Sequence, residues 1–414
     1  LAVFWGAAFV IAKLLDKDKK FSVISIIIFL SLFEYLRANL FTGFPWLMPS
    51  MIFSSNEYLI QIFSFIGSFS TNLVVLTFSI LPFILLSNLK GKFILSTILL
   101  IPISILIFSG IFRLNNKDLL KINDQLITIV QPNIEQKNKW NLKQRDKHLN
   151  KLVMLSNNDK DNFINSKRII IWPETSFEAS IPNERRLLYN ISKKVLKSPK
   201  SILIVGLLRT EENSIFNSLV FVNSNGQIIH KYDKIKLVPF GEYIPFRKYL
   251  RPISDFLPLS DFSKGSLKPN ITIDGFGEII TLICYEILFV DKISNKISKK
   301  TNLLINITND AWFGSTIGPY QHLALAKIKS VEFGLPLVRV ANTGISVFVS
   351  PYGEIISKIP LNNESAKTFN LTKPIESTLY RTYGEYTFLL SILILIIINK
   401  LYNNYYKENR SYEK

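Results

Sequence analysis

The chain of 414 residues contains one cysteine, Cys284, which closes the apolar run EIITLICYE (278–286) just ahead of Tyr285 and Glu286. A thiol at a strand end can face a pocket while its backbone stays rigid, although a lone cysteine in a sheet can also be an inert core group. It becomes a nucleophile only as thiolate, and a free pKa of about 8.5 leaves a few per cent ionised at neutral pH, so a base is required. Glu174, at the end of IIIWPET, is a candidate base. Pro173 cannot continue a β-ladder, which leaves the carboxylate at a strand end, where ligand sites of α/β sheets collect; from this segment alone an exposed turn glutamate reads equally well. A third group comes from HKYDKIKLVPFGEYIP, where Lys234 stands in a hydrophobic and aromatic frame. A lysine held in partly dry surroundings can stabilise a developing oxyanion, but spacing does not choose among Lys231, Lys234 and Lys236. Glu242, between Pro239 and Pro245, reads either as a second carboxylate or as loop surface.

Such residues need a rigid frame. Between about 125 and 375 short β-rich runs alternate with polar helical stretches, the pattern of a layered α/β domain. Strands are expected at 125–131, 168–174, 201–209, 217–223, 278–286, 302–310, 335–342 and 344–350, and helices at 142–156, 184–197 and 319–333. Several strands are nearly unbroken apolar runs, which implies burial on both faces.

The flanks are different in kind. Hydrophobic residues form 48% of the chain and mean hydropathy is +0.23. The apolar residues concentrate at 1–15, 21–36, 59–86, 93–112 and 386–402, segments that can cross hydrocarbon as helices. The start lacks the basic region and cleavage site of a signal peptide, and because it begins with Leu1 an upstream portion is expected. Lysines crowd the turns at 16–20 and 90–92 and the tail after Lys400; by parity of the crossings these share one side, which the positive-inside rule makes the cytoplasm. The long region 113–385 then lies outside it. A net charge of +18 is scattered without a nucleic-acid-binding motif and suits anionic lipid head groups. One cysteine excludes an internal disulfide. His148, His230 and His322 are separated from it and from one another in sequence, so no metal cluster is visible, and the chemistry calls for no cofactor.

WPET around Glu174, YDKIKLVPFGEYIP around Lys234 and ICYE around Cys284, in that order, resemble the Glu-Lys-Cys triad of the nitrilase (carbon-nitrogen hydrolase) superfamily. VPFGEYIP, ITNDAWFG (307–314), GPYQH (318–322), TGFPW (42–46) and the flanking membrane helices resemble one member family, apolipoprotein N-acyltransferase. The resemblance covers nearly the whole chain. It implies an α/β fold, a nitrilase-like αββα sandwich inserted between transmembrane helices of a multi-pass membrane protein: membrane helices over 1–112 with an N-terminal part missing, a catalytic domain over 125–375, and a C-terminal span over 386–402. Within the family pattern Lys234 is the catalytic lysine, Glu174 the general base, Cys284 the nucleophile and Glu242 an assistant. Trp140 and Trp312 resemble tryptophans near the substrate entrance; Asn217, Tyr285 and Glu286 match positions around the pocket, and Arg339 and Asn342 a scaffold beneath it.

The implied reaction takes a fatty acyl group from a membrane phospholipid and passes it, through a Cys284 thioester, to the N-terminal amine of a diacylglyceryl-cysteine apolipoprotein. The implied place is a bacterial inner membrane, with the catalytic domain periplasmic and the C-terminus cytoplasmic. The expectation for Phe240, Tyr243, Phe246, Phe256 and Phe262 is that they keep water from the thioester. The rival readings are a membrane-tethered amidase or nitrilase that hydrolyses a small amide, and a channel, transporter or lipid-binding scaffold with a dead nitrilase-like domain.

Overall fold

The computed structural model describes all residues except 1, 16–22, 119–120, 140, 158–166, 181–184, 213, 246–260, 267, 294–296 and 412–414. The chain divides into two compact units. One contains residues 1–117, 331–334 and 377–414, the other residues 118–330 and 335–376.

The first unit is helical. Among the described residues three helices, Leu59–Leu86, Lys92–Asn115 and Tyr386–Tyr405, are long and apolar enough to cross a membrane. The helices Ala2–Leu14 and Val23–Asn39 are shorter, with 13 and 17 residues. Phe83, Phe93, Ile101, Phe108, Phe112 and Leu389 are each more than half exposed. In water so much exposed apolar surface would drive association; against lipid it is solvated. Inside the unit, Glu34 and Arg37 face each other one helical turn apart at 2.5 Å. Trp5 donates to Glu34 at 2.5 Å, and Arg37 donates onward to the Phe44 carbonyl at 2.7 Å, so neither charge is left unpaired where it would be costly.

The second unit contains two sheets. The first has the order β13-β1-β2-β4-β5-β6, with β3 beside β4, and the second the order β12-β11-β10-β9-β8-β7. Its strands are β1 (Lys121–Gln131), β2 (Lys167–Ile171), β3 (Phe177–Ser180), β4 (Ile202–Glu211), β5 (Ser214–Asn223), β6 (Ile228–Asp233), β7 (Asn270–Ile273), β8 (Gly277–Ile283), β9 (Thr301–Thr308), β10 (Leu337–Ala341), β11 (Ser346–Val349), β12 (Ile355–Ile359) and β13 (Ser365–Thr372).

Period-2 alternation explains the layers. Ile127, Ile129, Ile169, Ile171, Ile204, Leu219 and Phe221 of the first sheet meet Ile279, Ile283, Ile305, Ile307, Val338 and Val340 of the second in one buried core. Their neighbours Val130, Ile170, Leu203, Val205, Val220 and Val222 face the other way and pack on Leu149, Leu152, Leu188, Ile191 and Val195. Those five come from helices Arg145–Ser156 and Arg185–Val195. On the far side of the second sheet lies the helix Gly318–Phe333, whose His322 reaches Arg339 of β10 at 3.1 Å. The result is the αββα sandwich, in which the central strands are covered on both faces and read as unbroken apolar runs.

Candidate active site

The site lies at the C-terminal ends of the parallel strands β2, β8 and β9, with a contribution from the chain leaving β6. After β2, Trp172 and Pro173 lead into Glu174, which is buried. The turn is tight enough to need a glycine opposite it. A Cβ on Gly206 of β4 would come within 2.3 Å of the Pro173 carbonyl and 2.7 Å of the Glu174 Cα, so only Gly lets the two backbones approach.

Glu174 Oε1 accepts a hydrogen bond from Asn217 Nδ2 at 2.7 Å, and Oε2 accepts from the Asn309 backbone N–H at 2.7 Å. Lys234 follows β6 with its side chain 1% exposed and its Nζ 2.8 Å from Glu242 Oε1 and 3.7 Å from Glu174 Oε1. Burial by itself would lower its pKa, but the Glu242 and Glu174 carboxylates hold it well above the usual lysine range, so Lys234 is a permanent cation. Asn217 Nδ2 also donates to Glu242 Oε1 at 3.1 Å, and Glu242 Oε2 accepts from the Val238 N–H at 2.8 Å. The lysine segment is clamped from the side as well, because the Gly265 N–H donates to the Lys234 carbonyl at 2.8 Å.

The alternatives at the lysine are separated by geometry. Lys231 lies 3.8 Å from Glu211, and Lys236 stands 4.6 Å over the Phe289 ring. Lys234 is the one placed between the two carboxylates.

Cys284 directly follows β8 with φ +55°, a left-handed conformation that disfavours a side chain by about 1–2 kcal/mol. Strand and elbow thus divide at Ile283, and Cys284 opens the short 3₁₀ turn Cys284–Phe289. Its thiol is pushed up to about 12, first by burial and then by Glu174, against the opposing Lys234 cation and a Thr308 hydrogen bond. The resting group is therefore a thiol, far from its free acidity, and ionises only when a base takes its proton.

Glu286, two residues on, is fully buried rather than a solvated charge. It accepts from the Tyr232 hydroxyl at 2.9 Å, from the N–H groups of Ile235 and Lys236 at 2.7 and 2.9 Å, and from the Ile283 N–H at 2.9 Å. One carboxylate thus ties the Lys234 segment to the Cys284 elbow. Burial raises its pKa to about 7, opposed by Lys234 and by the backbone donors. Tyr285 is buried and packs edge-on to Phe289 at 5.0 Å. Asn342 Nδ2 donates to the Ile134 carbonyl at 2.8 Å and to Asn309 Oδ1 at 3.1 Å, which fixes the residue whose N–H holds Glu174. Trp312 is 70% exposed and is not brought among these groups. Trp140, Phe246 and Phe256 lie outside the described residues, and Phe240 is 61% exposed at a turn of φ +62°.

Two participants escape a reading of the sequence. Asn309 acts through its backbone, which no side-chain type reveals. Lys139 is buried on the short helix Gln136–Lys139 and donates to the Glu174 carbonyl at 3.2 Å. Its pKa is lowered to about 7 by burial, against the opposing fields of Glu174 and Cys284. In sequence Lys139 is an ordinary lysine beside Trp140 in NKW, and nothing in its residue type marks it as buried.

Residues 126–373 match the carbon-nitrogen hydrolase family, and residues 1–81 match the apolipoprotein N-acyltransferase N-terminal domain. The α/β unit is thus a carbon-nitrogen hydrolase domain joined to helices of a second, membrane-type domain. The apolipoprotein N-acyltransferase of Rhodopseudomonas palustris is 29% identical over 420 residues, which cover 97% of this chain and 78% of that protein. That of Rhizobium rhizogenes is 33% identical over 388 residues, covering 88% and 70%, and that of Rickettsia bellii 31% identical over 412 residues, covering 97% and 80%. The chain belongs to the apolipoprotein N-acyltransferase family.

Proposed function

We infer that this enzyme transfers a fatty acyl group from a membrane phospholipid to the N-terminal amine of an apolipoprotein whose cysteine already bears diacylglycerol. The observation that carries the reading is the membership of one chain, along nearly its whole length, in a family of N-acyltransferases, joined to a lone, half-buried cysteine near a carboxylate and a cation. In the first half-reaction Cys284 Sγ attacks the ester carbonyl of the phospholipid while its proton passes to Glu174. Lys234, charged at every working pH, stabilises the tetrahedral oxyanion. The C–O bond breaks, Glu174 returns the proton to the departing lysophospholipid oxygen, and a thioester remains. In the second half-reaction the neutral amine attacks that thioester, Glu174 takes the proton from the new C–N centre, and the Cys284 sulfur leaves and is reprotonated. Glu242 and Asn217 hold Lys234 and Glu174 at fixed separation, and Glu286 keeps the lysine segment and the cysteine elbow in register. The lysine-rich segments 16–20, 90–92 and the tail after Lys400 support a cytoplasmic C-terminus, with residues 125–375 as the catalytic domain on the periplasmic face of an inner membrane.

The test is transfer to a synthetic diacylglyceryl-cysteine peptide in mixed lipid-detergent micelles. Wild-type protein should yield N-acylated peptide by mass spectrometry, and Cys284→Ala none while remaining folded. Hydrolysis of a small amide with no acylated peptide would replace this reading with an amidase.

A further inference from the structure

Behind Cys284, on the face of the second sheet turned away from the inter-sheet core, lies a polar cluster that the reaction above does not use. Asn306 of β9 and Arg339 of β10 stand opposite one another in register, and Arg339 NH1 donates to Asn306 Oδ1 at 2.5 Å. Arg339 NH2 donates to Asp310 Oδ2 at 2.7 Å, while Asp310 Oδ1 lies 3.0 Å from both His322 Nδ1 and the Thr308 hydroxyl. All five side chains are buried. Isolated polar groups at that depth are costly, and in a layer between a sheet and a helix apolar residues would fill the space more simply. The cluster reaches the end of β8. Asn306 Nδ2 donates to the Cys284 carbonyl at 3.1 Å and to the Leu282 carbonyl at 3.3 Å, and the His322 ring lies beside the Cys284 backbone. Cys284 is also the residue whose backbone occupies the left-handed region, a conformation that persists only where surrounding bonds over-determine it.

We propose that Asn306, locked by the Arg339–Asp310–His322 cluster, is a positioning residue of the acyl transfer: it holds the Cys284 carbonyl so that the strained elbow keeps its thiol beside Glu174 and Lys234. The ion pair fixes the asparagine amide, so that its donor end has one direction, and the amide fixes the elbow. Arg339 and Asp310 act at second hand and touch no substrate.

Asn306→Asp separates this role from packing. The carboxylate keeps the acceptor for Arg339, so the cluster stays paired, but it replaces the donor at Cys284 with an oxygen that the carbonyl repels. In the full-length protein the alkylation rate of Cys284 by iodoacetamide and the kcat of transfer should both fall between about tenfold and a hundredfold, the range that misplacement of a reacting group by about 1 Å produces. KM for phospholipid should stay near wild type, while the unfolding temperature should fall, because a buried oxygen then faces the Cys284 and Leu282 carbonyls; both rates are read well below that temperature. His322→Gln, which keeps a donor for Asp310 but removes the ring beside the elbow, serves if Asn306→Asp does not fold, and should lower both rates in the same direction. Wild-type alkylation and kcat in a folded variant would show the cluster to be packing only. The proposal rests on Cys284 as nucleophile; transfer surviving in Cys284→Ala would defeat that underlying reading, whatever the Asn306 variant does.

Discussion

In the proposed reaction, replacing Glu174 by Gln removes the base without changing side-chain volume, and the structure sets what should follow. At a pKa of about 12, only about one thiol in thirty thousand is ionised at pH 7.5, so the wild-type rate depends on proton transfer to Glu174 during attack. Loss of general-base assistance lowers acylation by about a hundred- to ten-thousandfold. Glu174 itself contributes to the raised thiol pKa, second after burial, so its removal brings the thiol down only part of the way. The variant should therefore gain about tenfold per pH unit from pH 7 past 9.5, with no plateau at the free-thiol value of about 8.5. Gln also sets an N–H₂ against either the Asn309 N–H or the Asn217 amide, an unsatisfied pair worth about 1–3 kcal/mol of stability; unfolding temperatures must accompany the rates. The assay is release of lysophospholipid in a single turnover across pH 6.5–10. A plateau near pH 8.5, or wild-type rates at neutral pH, would refute the buried-thiol reasoning.

Lys234→Met should slow acylation by about a hundred- to thousandfold with no rescue by alkali, and should leave Glu174 and Glu242 facing each other uncompensated, a loss of about 3–5 kcal/mol readable in thermal unfolding. Lys139→Met should change the pH dependence of stability. The native lysine loses its proton near pH 7 while the unfolded one keeps it to about 10.5, so the unfolded state binds more protons and wild-type stability rises by about 1.4 kcal/mol per pH unit between pH 7 and 9 relative to the variant. Parallel unfolding curves at pH 7, 8 and 9 would contradict it. Glu286→Gln should lower the unfolding temperature and transfer together, since one oxygen that accepts backbone donors becomes a donor; normal stability would show that the carboxylate is not the tie between elbow and lysine segment.

Much of this architecture was legible because burial on both faces writes itself into sequence. III, ILIVGL and LLI are unbroken apolar runs, and they lie in β2, β4 and β9. Strands with one wet face or an edge position were not legible. IIHKYD of β6, IISKI of β12 and SAKTFNLT of β13 carry charges and exposed residues, and the four-residue β3 and β7 are shorter than any periodic signal. Glu174, Lys234 and Cys284 stand in recognisable motifs, and Glu242, Asn217 and Glu286 in positions that only a resemblance marks; contacts across 43 and 54 positions, Asn217 to Glu174 and Tyr232 to Glu286, are not legible in the sequence. The stretch EIITLICYE reads as one strand, yet the strand stops at Ile283 and Cys284 takes a left-handed backbone, a local conflict of the kind that marks functional sites.

The central claim is that Cys284 carries the acyl group between donor and acceptor. Full-length protein incubated with phospholipid alone, then analysed by intact mass and peptide mapping, should gain one acyl group on Cys284, sensitive to hydroxylamine, with one lysophospholipid released for each thioester formed. Added diacylglyceryl-cysteine peptide should discharge that group to its amine. Unmodified Cys284 during steady transfer, or acyl found on any other residue, would contradict the account.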